Sequence, residues 1–530
     1  MRKVIEAIRS LVRGQSLDVR EYLMRAYKFI DDSFETFMSL HERVGEGGTR
    51  CLVPVVIGLA SDTVTPVSVY HSVQMAGGGP TALLESVPQG QHLGEFTIIG
   101  IRASARFTVE GDRSVLKPRL GRVEIVDGMP LAHLESFLKR VTPMARPLVA
   151  PFLGGAIGYV GFEGVCLVEP SISRHQVNDL QWPEIDLVAF DELIIFDHVK
   201  RAVYLVALAE TGKEGKELAK QTYADAYWRA HALVRHLFPQ LELLGLVSGV
   251  GETVSTNMTK CAYKHMVEEG QRYITSGDVF QVVLSQRFST SFSGNTLDFY
   301  RHLRRVNPSP CMFHLDLGDG RVVVGASPEV MVKVDGSDVH VRPIAGTRRR
   351  SSDPVEDERL RRELASDEKE KAEHRMLVDL ARNDVGRVAE AGTVRVGGVM
   401  RVESYSTVHH LVSDVSGRLS SDVSPIRAFL TCLPAGTLSG APKIRACQII
   451  RELEPCVRGP YGGAVGWFTS RGLDTGIAIR TAWIEKGVMY WQAGGGVVAD
   501  STPTGEYEES LTKAKSIGSA LNVATGRSNP

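Results

Sequence analysis

The chain has 530 residues, with 61 Lys and Arg against 62 Asp and Glu and a formal net charge of −1, so it carries no basic field for nucleic acid or an anionic membrane surface. Hydrophobic residues make up 43% and charged residues 23%, a globular composition that excludes disordered, collagen-like and disulfide-scaffold chains. No apolar run approaches the roughly 18 residues of a membrane span, and seven cysteines without a C-x-x-C pair point to a reducing, cytoplasmic compartment.

In chain order, the first 45 residues read as helix, with Val4, Ile5, Ile8 and Leu11 and then Tyr22, Leu23 and Tyr27 as apolar positions. They form an N-terminal helical extension to about residue 50, and Asp18, Glu21, Asp31 and Asp32 argue against an organelle signal. From residue 52 to about 210 the pattern is strand. Val53–Ile57, Glu95–Ile101, Val123–Ile125, Ala156–Val160 and Leu187–Phe196 are β-branched or aromatic runs between Gly, Pro and Asp. Glu214–Phe238 reads as helix and Leu246–Thr256 as a linker, which separates a region 51–250 from a region 251–524.

The second region alternates. Helix Lys260–Thr275 leads into strand Gly277–Phe288, and strands Arg321–Val334 and Asp338–Pro343 join across Asp335-Gly336. One long charged helix is expected over Asp353–Asp384, a strand over Thr393–Glu403, and helices over Ile426–Leu433 and Lys443–Leu453. Strands Tyr461–Thr469, Thr475–Ile484 and Val488–Val498 precede a terminal helix from Gly505. Hairpin-connected strands with helices grouped between them predict an α+β fold of large, mostly antiparallel sheets packed with helices.

Thirteen glycines fall between Gly436 and Gly505. Gly494-Gly495-Gly496 at a strand end imply either a close backbone approach, with N–H groups that suit a carboxylate, or a sharp bend. The segment Ala435–Lys443 (AGTLSGAPK) fails as a Walker loop because Pro442 precedes Lys443 and Ile444 follows it. Its hydroxyls, Thr437 among them, still precede a helix N-terminus, where an anion is favoured.

On a helical wheel Glu373 falls on an apolar face of Ala372, Met376, Leu377 and Leu380, with Glu370 one turn back. Glu506 falls within the face of Tyr507, Leu511, Ala514, Ile517 and Leu521, with Glu509 one turn on. Two E-x-x-E pairs on inward-packing helices suit a hard divalent cation or, for the last helix, its N-terminal dipole. Alternation in Tyr405–Val415 puts His409 and His410 on different faces, one of them inward; such a residue is more often a hydrogen-bonded core histidine than a catalyst.

Seven stretches in one order carry a resemblance: Gly277–Arg287 (GDVFQVVLSQR), Gly325–Glu329 (GASPE), Arg342–Arg348 (RPIAGTR), Asp367–Asp384, Leu433–Lys443 (LPAGTLSGAPK), Tyr461–Gly466 (YGGAVG) and Gln492–Asp500 (QAGGGVVAD). From about residue 50 to 520 the sequence resembles the chorismate-utilising enzymes, most closely the large components of anthranilate synthases. The resemblance implies their fold and conversion of chorismate and ammonia to anthranilate and pyruvate in tryptophan biosynthesis. The alternatives are an aminodeoxychorismate synthase of the folate pathway and a non-catalytic tryptophan- or chorismate-binding protein. Gln281 stands where isochorismate and salicylate synthases carry a water-activating lysine, and Ala345 where aminodeoxychorismate synthases typically carry lysine; both favour anthranilate.

The resemblance further implies roles. Glu329 is the general acid for the departing hydroxyl, which requires a carboxyl protonated near neutral pH. Gln281, Thr437 and His410 are further catalytic candidates, His410 aiding pyruvate loss. Gly346, Thr347, Tyr461, Arg480 and the amides of Gly494, Gly495 and Gly496 contact substrate. Glu373 and Glu509 hold Mg²⁺, with Glu370 and Glu506 acting through its waters. No G-x-C-x-G-x-Q elbow is present, so ammonia comes from a separate glutamine amidotransferase subunit, in a heterotetramer of two large and two small subunits. Leu83-Leu84-Glu85-Ser86 and Asn307–Met312 imply a tryptophan inhibitor pocket with Ser86, Pro310, Cys311 and Met312. Cys311 replaces the family's usual Tyr there, which weakens the inhibitor's hold, and Gly476 replaces a usual Cys.

Overall fold

The computed structural model describes residues 28–527 apart from 45–50, 62–63, 87–94, 147–148, 176, 213–214, 239–243 and 406–407. The helical pattern expected before residue 28 lies outside the described residues. The described part of the extension is not all helix: Lys28–Asp31 is a strand on Cys51–Ala60, and helix Phe34–Val44 follows it.

Every pairing between described strands is antiparallel, as expected, and the strands form one continuous hydrogen-bonded sheet, which divides into two smaller sheets that share one long pair, Phe96–Glu110 with Ile185–Asp197. The register of that pair slips between Gly100 and Ala105. A side chain at Gly100 would stand 2.7 Å from the Phe190 ring, so the bare backbone lets the two strands fold over each other at the slip. Beyond it the first halves of both strands part company. Phe96–Gly100 joins Thr81–Ser86, Cys311–Asp316, Val322–Ser327, Thr481–Glu485, Val488–Val497 and Gln281–Ser291 in the first sheet. Ile185–Phe190 joins Gly155–Val160, Ala464–Phe468, Gly472–Ile477, Val330–Asp335, Asp338–Val341 and Val408–Arg418 in the second.

Residue alternation places the core. Leu193, Ile195, Phe313, Leu315, Val323 and Trp483 of the first sheet pack against Ile157, Leu187, Val332, Val334 and Phe468 of the second. The opposite face of the first sheet, with Val55, Ile57, Ile194, Val324 and Ile484, packs against helices Pro66–Ala76, Lys216–Ala232, Thr296–Val306 and Pro503–Thr525. Among the described residues no helix is long and apolar enough to cross a membrane, and no disulfide links the cysteines.

Three expected elements are each divided in two. The run Asp353–Asp384 is two helices, Pro354–Ser366 and Glu368–Gly386. Between them Asp367 is extended (φ −68°, ψ 110°) and its carboxylate accepts the N–H groups of Lys369 and Glu370, so N-capping overrides the continuous helical pattern. Arg321–Val334 is two strands, Val322–Ser327 and Val330–Asp335, and Thr475–Ile484 is replaced by Gly472–Ile477 and Thr481–Glu485. These last two breaks make the site.

Candidate active site

Val322–Ser327 pairs with Thr481–Glu485 in the first sheet, whereas Val330–Asp335 pairs with Gly472–Ile477 in the second. Both chains therefore cross between sheets at the same level. Pro328, which has no N–H, ends one ladder; Arg480, in the left-handed region at φ 48°, ends the other. The crossing opens a cleft of about 660 Å³ lined by Glu329, Thr347, Thr437, Tyr461, Arg480 and Gly494.

Burial raises the Glu329 carboxyl to about 8, and the Thr437 hydroxyl, Arg480 and Lys513 act against that rise. Thr437 Oγ1 donates to Glu329 Oε1 at 3.2 Å. Glu329 is thus protonated at neutral pH, the state a proton donor needs. The Arg480 guanidinium projects into the cleft with no hydrogen bond or ion pair to a described residue. Burial lowers its pKa and Glu329 opposes that shift. Tyr461 is buried on the cleft wall, its hydroxyl pushed up to about 12 by desolvation.

The three glycines lie within a regular ladder, Val488–Val497 on Gln281–Ser291, so they mark no bend. Val283 N–H donates to Ser439 O and Ser285 N–H to Glu454, both away from that partner strand. Their opposite numbers Gly496 and Gly494 accordingly turn their N–H and C=O toward the other edge. Thr481–Glu485 covers that edge only as far as Trp491. Bare amides therefore face the gap that Arg480 opens. A side chain at Gly494 would strike Leu284 O, at Gly495 the Glu506 carboxylate, and at Gly496 the Gln281 amide.

Gly346, at φ 64°, forms a bulge opposite Val408–Arg418 between Ala345 and Thr347. A side chain there would meet Leu364 at 2.9 Å and Glu370 at 3.1 Å. His410 Nδ1 lies 2.9 Å from Gly346 O and 3.1 Å from the Thr347 hydroxyl. A carbonyl only accepts, so Nδ1 carries the hydrogen and Nε2 is bare. Burial lowers the His410 pKa, which keeps the ring neutral. His409 is the inward member of the pair, fully buried between Ser404 and Asp357. Gln281 is buried beside Gly496 and its Oε1 has no partner; it does not line the cleft.

None of the four glutamates of the acidic pairs lines the cleft itself; Glu509 reaches it through the lining residue Lys513. Glu373 lies off the buried stripe of its helix, which consists of His374, Leu377, Val378, Ala381, Asp384 and Val385, so the expected apolar surround is absent. Its carboxyl is raised by desolvation and by the nearby charges of Glu370 and Glu509. Arg348 holds Glu370 at 3.0 Å, and Lys513 holds Glu509 at 2.8 Å. Glu506 is buried; Ser501 donates to its Oε1 at 2.6 Å, and its Oε2 is orphaned beside Gly495. No group of three or more His, Cys, Asp or Glu side chains among the described residues is already arranged to hold a metal ion. An orphaned carboxylate oxygen, with three more carboxylates whose mutual repulsion raises Glu373, is nevertheless an all-oxygen donor set that fits a hard divalent cation.

A second cavity, about 290 Å³, is lined by Ser86, Pro310, Cys311 and Met312 together with Glu85 and Trp467. Cys311 pairs with Ser86 across adjacent strands, and Gly476 leaves room for the Cys311 side chain. Sequence reasoning missed Lys513 and Arg349 on the cleft wall. Lys513 had a usable signal, four residues after Glu509 on one helix face.

A family model described as chorismate binding enzyme matches residues 79–519. The chain belongs to this family of chorismate-binding enzymes. It is 42% identical over 494 residues to anthranilate synthase component 1 of Streptomyces coelicolor, covering 89% of each chain. It is 38% identical to anthranilate synthase component 1 of Bacillus subtilis over 89% of this chain and 92% of that one. The crystal structure of anthranilate synthase component I from Streptococcus pneumoniae aligns with a TM-score of 0.70 and 35% identity, over 81% of this chain and 95% of that chain. MenF, the menaquinone-specific isochorismate synthase of Escherichia coli, shares the fold at a TM-score of 0.67 with 18% identity, over 92% of this chain and 100% of that one.

Proposed function

We propose that the chain is the synthase component of an anthranilate synthase and converts chorismate and ammonia to anthranilate, pyruvate and water. The observation that carries this reading is the placement of Glu329, a carboxyl that burial pushes up to about 8, in a cleft whose other charged lining residues are cations.

Chorismate brings two carboxylates. Arg480, Tyr461 and the free amides of Gly494 and Gly496 receive the one on the pyruvyl group, while Gly346 and Thr347 bound the ring. Ammonia attacks C2, the C4 hydroxyl leaves, and Glu329 supplies the proton that makes it water, with Thr437 steadying the carboxyl. Gln281 has no basic atom with which to activate water, and ammonia needs no activation. The ammonium formed at C2 returns its surplus proton to the Glu329 carboxylate. Bare Nε2 of His410 then takes the C2 proton as the enolpyruvyl C–O bond breaks and the ring becomes aromatic, and that proton passes to the methylene carbon of the departing enolpyruvate, which leaves as pyruvate. Glu373 and Glu509, with Glu370 and Glu506 through bound water, would hold a magnesium ion, whose charge neutralises the ring carboxylate.

Ammonia is delivered by a partner glutamine amidotransferase, component II, in a heterotetramer, and the second cavity takes tryptophan as a feedback inhibitor. The test is incubation of the purified chain with chorismate, Mg²⁺ and ammonium. Blue anthranilate fluorescence and stoichiometric pyruvate are expected. An aminated product that keeps its pyruvyl group, or isochorismate, overturns the reading.

A further inference from the structure

Arg348, Arg349 and Arg350 are consecutive, and two of them are fully engaged. Arg348 donates to Glu363, Asp367 and Glu370 at 2.9, 2.7 and 3.0 Å. Arg350 donates to Asp357 and to Tyr405 O, each at 2.8 Å. Strand alternation sends Arg349 to the opposite face, the face of Thr347, and both residues line the cleft. Arg349 is exposed, and its guanidinium makes no hydrogen bond or ion pair with any described residue. Arg480, Lys515 and Lys513 share the same wall, and Lys513 is held by Glu509 at 2.8 Å, so the unpaired fixed charges of the wall are all cationic once Glu329 is protonated.

An unpaired guanidinium at the solvent boundary of a cationic cleft focuses the field on an approaching anion, and its fork suits a carboxylate. We infer that Arg349 is a capture residue, which pairs with a carboxylate of the incoming dicarboxylate substrate at the cleft boundary and speeds its association. The inference rests on the reading proposed above for the substrate. It adds a residue that acts before the substrate reaches Arg480 and the glycine amides.

The experiment is stopped-flow binding of chorismate to the full chain with Mg²⁺ and no ammonium, followed by quenching of tryptophan fluorescence, since Trp491 lines the cleft. Steady-state kinetics with ammonium run beside it. Arg349→Gln should slow association and lower kcat/KM roughly tenfold at low ionic strength, with kcat nearly unchanged and the deficit vanishing in high salt. Arg349→Lys should keep most of the rate. Lys220→Gln, which removes an equal charge from exposed surface outside the cleft, should change neither quantity. Equal salt dependence in wild type and Arg349→Gln, a fall in kcat at unchanged KM, or an equal loss in Lys220→Gln each overturns the inference. Should Arg349→Gln fail to fold, the Arg349→Lys comparison and the salt dependence of wild-type association decide; a wild-type rate indifferent to salt overturns it. A wild-type chain that binds chorismate but makes no anthranilate defeats the proposed function while leaving this binding test intact.

Discussion

Glu329 and Arg480 sit at matching breaks in two strand pairs, and each is tied into the other's strand. Ile477 N–H donates to Glu329 O at 2.9 Å, and Ala326 N–H donates to Arg480 O at 3.2 Å. The proton donor and the anion-binding guanidinium are thus fixed by backbone rather than by a mobile loop.

The pH dependence follows from Glu329. Its acid form is the donor, so the rate per unit of free ammonia should fall as pH rises through about 8. Thr437→Val removes a hydrogen bond that lowers this pKa, so the alkaline limb should move to higher pH. Glu329→Gln should lower kcat about 10²- to 10⁴-fold. A profile without an alkaline limb removes Glu329 from the role of acid.

Glu373 is exposed and repelled by its neighbours. Glu373→Ala should abolish turnover while shifting unfolding free energy by only about 0.5 kcal/mol or less. A cation competes with the raised proton affinity of Glu373, so Mg²⁺ binding should release protons and tighten with rising pH. Calorimetry in buffers of different ionisation enthalpy measures both. Retained activity in the alanine variant ends the metal assignment.

The glycines differ in what an added methyl would meet. Gly494→Ala collides with a backbone carbonyl of the partner strand, which cannot yield without parting the ladder. It should cost about 1–3 kcal/mol in urea unfolding. Gly496→Ala meets only the Gln281 side-chain end, so its stability loss should be smaller while Gln281 is displaced. Equal losses would mean the ladder tolerates both.

Lys443 and Asp384 form a buried ion pair at 2.7 Å that joins the start of helix Lys443–Leu453 to the end of Glu368–Gly386. Asp384→Ala strands the ammonium and should destabilise by about 3–5 kcal/mol. Denaturant titration reads this directly, and a loss below about 1 kcal/mol would show the lysine rehydrated.

Cys311→Tyr returns an aromatic wall to the second cavity. If tryptophan binds there, its inhibition should tighten roughly two- to tenfold, the worth of an aromatic contact. Inhibition curves that do not move separate the cavity from the inhibitor.

Much of this was legible. Helices Lys260–Thr275 and Lys443–Leu453 span the expected residues; Thr259 caps the first, whereas the second opens after Pro442 without a side-chain cap. The carboxylate of Glu506 is buried as its wheel position required. The same wheel misplaced Glu373, since the buried arc of its helix runs through His374, Leu377 and Val378 and leaves Glu373 exposed. Breaks at Pro328 and Arg480 were hidden because both flanking runs are apolar. A sheet crossing is a tertiary event with no local period. Nor does any single-residue rule separate Arg349 from its two neighbours; only the carboxylates that occupy Arg348 and Arg350 do.

The interleaving of the two halves also bears on how the chain can be divided. Thr81–Ser86 flanks Cys311–Asp316, and Gly155–Val160 flanks Ala464–Phe468. Severing the polypeptide near residue 250 would strip both later strands of their earlier neighbours and expose raw, sticky margins. The later half is no freestanding module, and any attempt to produce it by itself should end in aggregates.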